Sequence, residues 1–102
     1  MQASLIGETL VGVGGQFSKT IPTGASTNTL KVGIGRLCRV SITTAGTASF
    51  TAFDNTSGSG NVLFISPATT TAGQVFDIHM PAQIGITIVN QASGPAFTAS
   101  FN

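Results

Sequence analysis

The sequence predicts an all-β protein, an antiparallel β-sandwich or jelly roll of about seven to eight strands with an N-terminal arm. Three observations carry that reading. No window holds apolar residues at the spacing of an amphipathic helix. Several windows instead alternate apolar with polar residues, rich in Val, Ile, Thr and Phe, between Gly, Asn and Pro punctuation. Strand starts recur about every 8 to 14 residues, too closely for crossover helices, so the strands run mainly antiparallel and pack as two sheets or a closed barrel.

In chain order, residues 1–28 read as the arm with its first short strand or strands, because Gly12-Val13-Gly14-Gly15 and Ile21-Pro22-Thr23-Gly24-Ala25-Ser26 interrupt short apolar pieces. Residues 29–102 form the sandwich domain, with strands at 29–34, 37–43, 48–53, 62–66, 74–80, 84–90 and 96–101. Successive side chains of a strand point to opposite faces. Cys38, Val40 and Ile42 therefore face the core, and Arg39, Ser41 and Thr43 face water. The same phase puts Ile84, Ile86 and Ile88 inside with Thr87 outside, and Phe97, Ala99 and Phe101 inside with Thr98 and Ser100 outside. Turns fall at Thr44-Ala45-Gly46, Ala72-Gly73, Gln91 to Pro95 and Asp54 to Asn61, where Gly, Asn and Asp accept the dihedrals required. Asp54, Asn55, Thr56 and Ser57 are the candidate exposed loop.

Composition narrows the function. Only seven of the 102 residues are charged, for a net charge of +1, while Ser and Thr together supply 25 residues and Gly another 13. A surface so poor in charge favours association. It also gives no field or basic cluster that would draw a phosphate backbone, so nucleic acid is not an expected partner. Cys38 is the lone cysteine, which excludes an internal disulfide. The apolar run from Leu5 to Val11 contains Glu8 and no basic residues precede it, so it fits neither a signal peptide nor a membrane span.

The inventory for catalysis is thin: one His, one Cys and three carboxylates scattered along the chain. Asp77 and His79 share a face by alternation and read as structural. Cys38 reads as a small buried hydrophobe. Gly12 to Gly15 lacks the Gly-Lys-Ser/Thr ending and the surrounding βαβ unit of a phosphate loop. Asn55-Thr56-Ser57 matches a glycosylation acceptor, but without a secretory signal it has no route to modification. Arg36 and Arg39 fall on opposite faces of one strand or at its entry, so they form no single patch. Their readings are a docking contact for a neighbour's carboxylate and protection of an edge strand. No enzyme, cofactor, metal or small-molecule substrate is expected.

Three ordered motifs carry a resemblance. They are Gly35-Arg36-Leu37-Cys38-Arg39-Val40-Ser41-Ile42-Thr43-Thr44-Ala45-Gly46, then Phe53-Asp54-Asn55-Thr56-Ser57-Gly58-Ser59-Gly60, then Gly73-Gln74-Val75-Phe76-Asp77-Ile78-His79-Met80-Pro81. Over about residues 29 to 101 the chain resembles small virion structural proteins of tailed bacteriophages. The resemblance implies a β-sandwich that decorates or cements the capsid shell, with the major capsid protein as partner and no catalytic residues. The expected protein is made in the bacterial cytoplasm, resides on the capsid surface and assembles as a homo-oligomer, with a trimer as the expected form. It docks through its arm or a sheet edge, with Leu5, Leu10, Val11, Phe17, Arg36 and Arg39 as candidate contacts. The alternative is a carbohydrate- or receptor-binding module of a tail or head fibre, against which stands the absence of Trp and Tyr.

Overall fold

The computed structural model describes residues 15–102, all of whose regular structure is β. Eight strands follow in order: β1 (Phe17–Ile21), β2 (Ser26–Val32), β3 (Gly35–Thr44), β4 (Thr51–Asp54), β5 (Asn61–Ile65), β6 (Val75–Ala82), β7 (Gly85–Asn90) and β8 (Ala96–Phe101). They form two four-stranded sheets, β1-β8-β3-β6 and β2-β7-β4-β5. Every pairing is antiparallel.

The topology has a simple origin. β1 pairs with β8, β2 with β7, β3 with β6 and β4 with β5, so the chain is one long double-stranded ribbon whose tip is the β4–β5 hairpin. Rolling that ribbon brings β8 beside β3 and β7 beside β4 and divides it between two sheets. This is the strand order of an eight-stranded jelly roll. The predicted fold class is therefore the observed one.

Pairing crosses the boundary drawn between residues 28 and 29. β1 lies along β8 from Phe17↔Phe101 to Ile21↔Phe97, Ile21 is fully buried, and β2 already begins at Ser26. Residues 17–28 thus belong to the sandwich and its first turn.

The core lies between the sheets. Leu37, Val40 and Ile42 of β3, Ile86 and Ile88 of β7, and Phe97, Ala99 and Phe101 of β8 supply most of it. Phe50, just before β4, stacks on Phe97 with centroids 4.2 Å apart and tilts against Phe64 at 5.8 Å, while Phe64 meets Phe76 at 5.3 Å. These contacts link β4, β5, β6 and β8 across both layers. At the end of the sandwich opposite the β4–β5 loop, the buried Asn90 amide donates to Pro22 O at 3.2 Å and Pro95 O at 2.9 Å and accepts from Gln91 N at 3.0 Å.

Two expected phases differ from the structure. Ile84 is 53% exposed rather than inward, because the chain turns at Gln83-Ile84 before β7 begins at Gly85 and sheet pleat does not yet govern it. Thr87 is outward in phase yet fully buried: the β4–β5 loop folds over it, and its hydroxyl donates to Asn55 O at 2.8 Å.

A bulge accounts for a third difference. Between the pairs Leu37↔Met80 and Arg39↔Asp77, β3 supplies Cys38 while β6 supplies Ile78 and His79. His79 absorbs the extra length by taking φ 53°, an unusual left-handed conformation for a residue with a side chain. Leu37 and Cys38 are consequently both buried, and Arg36 and Arg39 both reach exposed acceptors on β6 instead of opposite faces. β3 is also an inner strand, which removes the edge-protection reading from these arginines.

Candidate interaction surface

One end of the sandwich gathers the β2–β3 turn, the β6–β7 turn and the β4–β5 loop. Val32 and Ile34 are each 75% exposed and flank Gly33, whose N–H donates to Ile84 O at 2.8 Å. Gly33 adopts φ 100°, which a residue with a Cβ rarely tolerates, so the tight turn needs glycine there. With Ile84, also exposed, three branched aliphatic residues thus lie in or next to two turns that are bonded to each other. Fully covering such side chains is worth about 1.5–3 kcal/mol each.

Asp54 holds this tip in place. It ends β4 with only 7% of its surface exposed, contrary to its expected place in an exposed loop. Its carboxylate accepts hydrogen bonds from Ile84 N at 2.8 Å, Gln83 N at 3.0 Å and Gly85 N at 3.4 Å. The Ile84 donor above all, then Gln83, holds the Asp54 carboxyl below the ordinary carboxylate value, partly opposed by burial. A carboxyl lowered in the folded state contributes stability that is whole above its unfolded value and is lost as pH falls through its folded one. The melting temperature is therefore expected to fall below about pH 4, and Asp54→Asn to flatten that fall. Superimposable melting curves against pH for the two proteins would refute the role given to Asp54.

The rest of the loop is built on Asn55. Its Oδ1 accepts from Thr56 N at 2.8 Å and its Nδ2 donates to Ser59 O at 2.9 Å, closing a side-chain-capped turn. Thr29 Oγ1 donates to Thr56 O at 3.4 Å and shares a hydrogen bond with Thr87 Oγ1 at 3.1 Å, which fastens the loop to the outside of β2 and β7. Of the four predicted loop residues, Thr56 and Ser57 are exposed, Asn55 is half-buried and Asp54 is buried.

Among the candidate contacts, Leu5, Leu10 and Val11 lie outside the described residues. Phe17 is 52% exposed at the start of β1, its ring 5.9 Å from that of Phe101. Arg39 is taken by its own chain, with Nε 2.5 Å from Asp77 Oδ1; exposed pairs of this kind are worth about 0–1 kcal/mol. Asp77 thus pairs across the strands. Arg36 donates from Nη1 to His79 O at 2.7 Å and so braces the bulge.

The four outer strands are unequally protected. β1 carries Lys19, β2 carries Lys31 and a bulge, and β6 carries Asp77, the His79 bulge and Pro81. β5 has neither charge nor proline, only a bulge at Leu63, and it leaves Val62 and Ile65 exposed. Such an edge is a natural place for another strand to add.

Among the described residues no group of His, Cys, Asp or Glu is placed to hold a metal ion, and no helix is long and apolar enough to cross a membrane. Cys38 is buried, its thiol donates to Arg36 O at 3.7 Å, and burial pushes its pKa up, the reverse of what a nucleophile needs. No protein-family model, curated protein or solved structure matches the chain.

Proposed function

We propose that the chain is a non-enzymatic structural protein of a bacteriophage virion that decorates or cements the capsid by binding the major capsid protein lattice and copies of itself. One observation carries this reading: the apolar tip of Val32, Ile34 and Ile84 stands on turns fixed by backbone bonds and by Asp54, so it is a rigid surface. A rigid surface loses little freedom on binding, and weak neutral contacts multiply when a lattice offers many equivalent sites. The unprotected β5 edge supplies the natural contact between copies, and the low charge of the chain removes the repulsion that would oppose both.

The tip replaces the arm and the arginines as the preferred docking element. Added to phage shells lacking it, the purified protein is expected to sediment with them, and the triple change Val32→Ser, Ile34→Ser, Ile84→Ser to abolish co-sedimentation while leaving the fold intact. Light scattering is expected to report an oligomer, with a trimer fitting the three-fold positions of a shell. A stable monomer that ignores shells, or a triple variant that binds as before, would count against the proposal.

A further inference from the structure

The outer faces of the two sheets differ. On the β1-β8-β3-β6 sheet the register sets Thr20 beside Thr98, Thr98 beside Ser41, and Arg39 beside Asp77, so hydroxyls and an ion pair dominate that face. On the β2-β7-β4-β5 sheet it runs from Thr87 through Phe53 to Val62, and from Val89 through Thr51 to Ile65. The β4–β5 loop folds over Thr87, and its Gly58 lies so close to β7 that a Cβ there would meet Val89 Cγ2 at 2.8 Å. The loop thus covers the β7 side of this face and leaves the β5 side open, where Val62 is 47% and Ile65 57% exposed.

We propose that β5 pairs antiparallel with β5 of a second copy about a two-fold axis, joining two four-stranded sheets into one of eight. This rests on the reading that β5 joins copies, and it names the edge of the second copy that β5 meets. Among the described residues β5 ends its sheet, so one side of its backbone offers N–H and C=O groups to an added strand. Charge decides which strand that is. On β1, β2 or β6 of another copy, an uncharged strand would lie against Lys19, Lys31 or Asp77, and Pro81 of β6 has no N–H to give. On its own copy β5 meets no charge, since residues 55–76 contain none. The edge of a strand is its own complement when the partner runs antiparallel, and a two-fold contact closes at two copies instead of growing into a fibre.

The register follows from the faces. Directly opposed residues of antiparallel strands share a face. Val62 and Ile65 share the outer one although they are three positions apart, because the bulge at Leu63 adds a residue between them. Opposing Val62 to the second copy's Ile65, and Ile65 to its Val62, keeps that face continuous and overlaps most of the strand. It also opposes Leu63 and Phe64, which pack partly against the core of each copy. The exposed aliphatic residues of one copy thereby cover those of the other. A grouping of copies by three on a shell is then set by the lattice, while β5 links them in twos.

The test uses the full chain. In light scattering, Ile65→Lys is expected to halve the mass of the unaltered protein with an unchanged circular dichroism spectrum, because the site is exposed in the single chain. Adding Val62→Glu is expected to restore the mass, since each carboxylate then faces an ammonium of the other copy. Under mild oxidation, Val62→Cys with Ile65→Cys is expected to link copies in pairs at least about tenfold faster than either change alone, with Cys38 buried and out of reach. Ile65→Lys is expected to sediment with phage shells as before, and the tip variant Val32→Ser, Ile34→Ser, Ile84→Ser to keep its pairs. A monomeric unaltered protein, an unchanged mass for Ile65→Lys, no recovery with Val62→Glu, or single-cysteine variants that link as fast as the double one each overturn the pairing. Pairs that form while no variant binds shells support the pairing and overturn the virion role alone.

Discussion

Phe50→Ala is expected to destabilise the fold by about 3–5 kcal/mol, a large part of the roughly 5–15 kcal/mol that holds a domain of this size together. The ring is fully buried and touches both layers, stacking on Phe97 of β8 and tilting against Phe64 of β5. Its truncation removes the transfer free energy of a large side chain and the aromatic contacts, and leaves a cavity between two sheets that cannot easily collapse. The backbone offers no relief, since Phe50 N donates to Ser66 Oγ at 3.0 Å and Phe50 O accepts from Ser66 N at 3.0 Å. In thermal melts the loss corresponds to a drop of roughly 15–30 °C. A urea denaturation that finds less than about 1 kcal/mol would show that the ring is not the centre of the core.

Asn90→Ala comes next, with an expected loss of about 1–3 kcal/mol. The amide side chain bonds the β1–β2 turn through Pro22 O and the β7–β8 turn through Pro95 O and Gln91 N, so alanine leaves buried groups in both turns without partners. Gly94→Ala provides a second reading of the same clamp, because its Cβ would lie on top of the Asn90 amide and displace it. Both variants are expected to lose comparable stability in denaturant titrations. A silent Asn90→Ala beside a damaging Gly94→Ala would locate the effect in the backbone and not in the clamp.

How much of this was legible in the sequence depends on whether the signal was local. Val40 and Ile42, Ile86 and Ile88, and Phe97, Ala99 and Phe101 are core residues that alternation alone places correctly, because one face of each strand meets the other sheet. The bulge at Cys38 and His79 was not legible: both residues are compatible with an unbroken strand, and the shift exists only in the pairing of β3 with β6. Arg39 faces water as its phase requires, but Arg36 was put on the opposite face and is exposed as well. Asp54 looked like an exposed loop residue but ends β4 buried, and its three donors lie some 30 positions later, at 83–85, where no local pattern announces them. Ile84 failed because it lies in the turn just before β7 begins at Gly85, where alternation no longer sets the direction of a side chain. The apolar tip was invisible for both reasons together, since its members were divided between a strand and a presumed core.

The rolled ribbon also dictates an order of events in time. β4 and β5 are joined by six residues and need little chain to be closed before they meet, whereas the β1–β8 ladder ties residue 17 to residue 101 across nearly the whole length. Refolding should begin at the hairpin and finish at the seam of first and last strands, on the order of milliseconds to seconds in stopped-flow measurements, as befits contacts so far apart in sequence. Until that seam forms, newly made chains expose unpaired strands, and the interval is when encounters between copies are most hazardous.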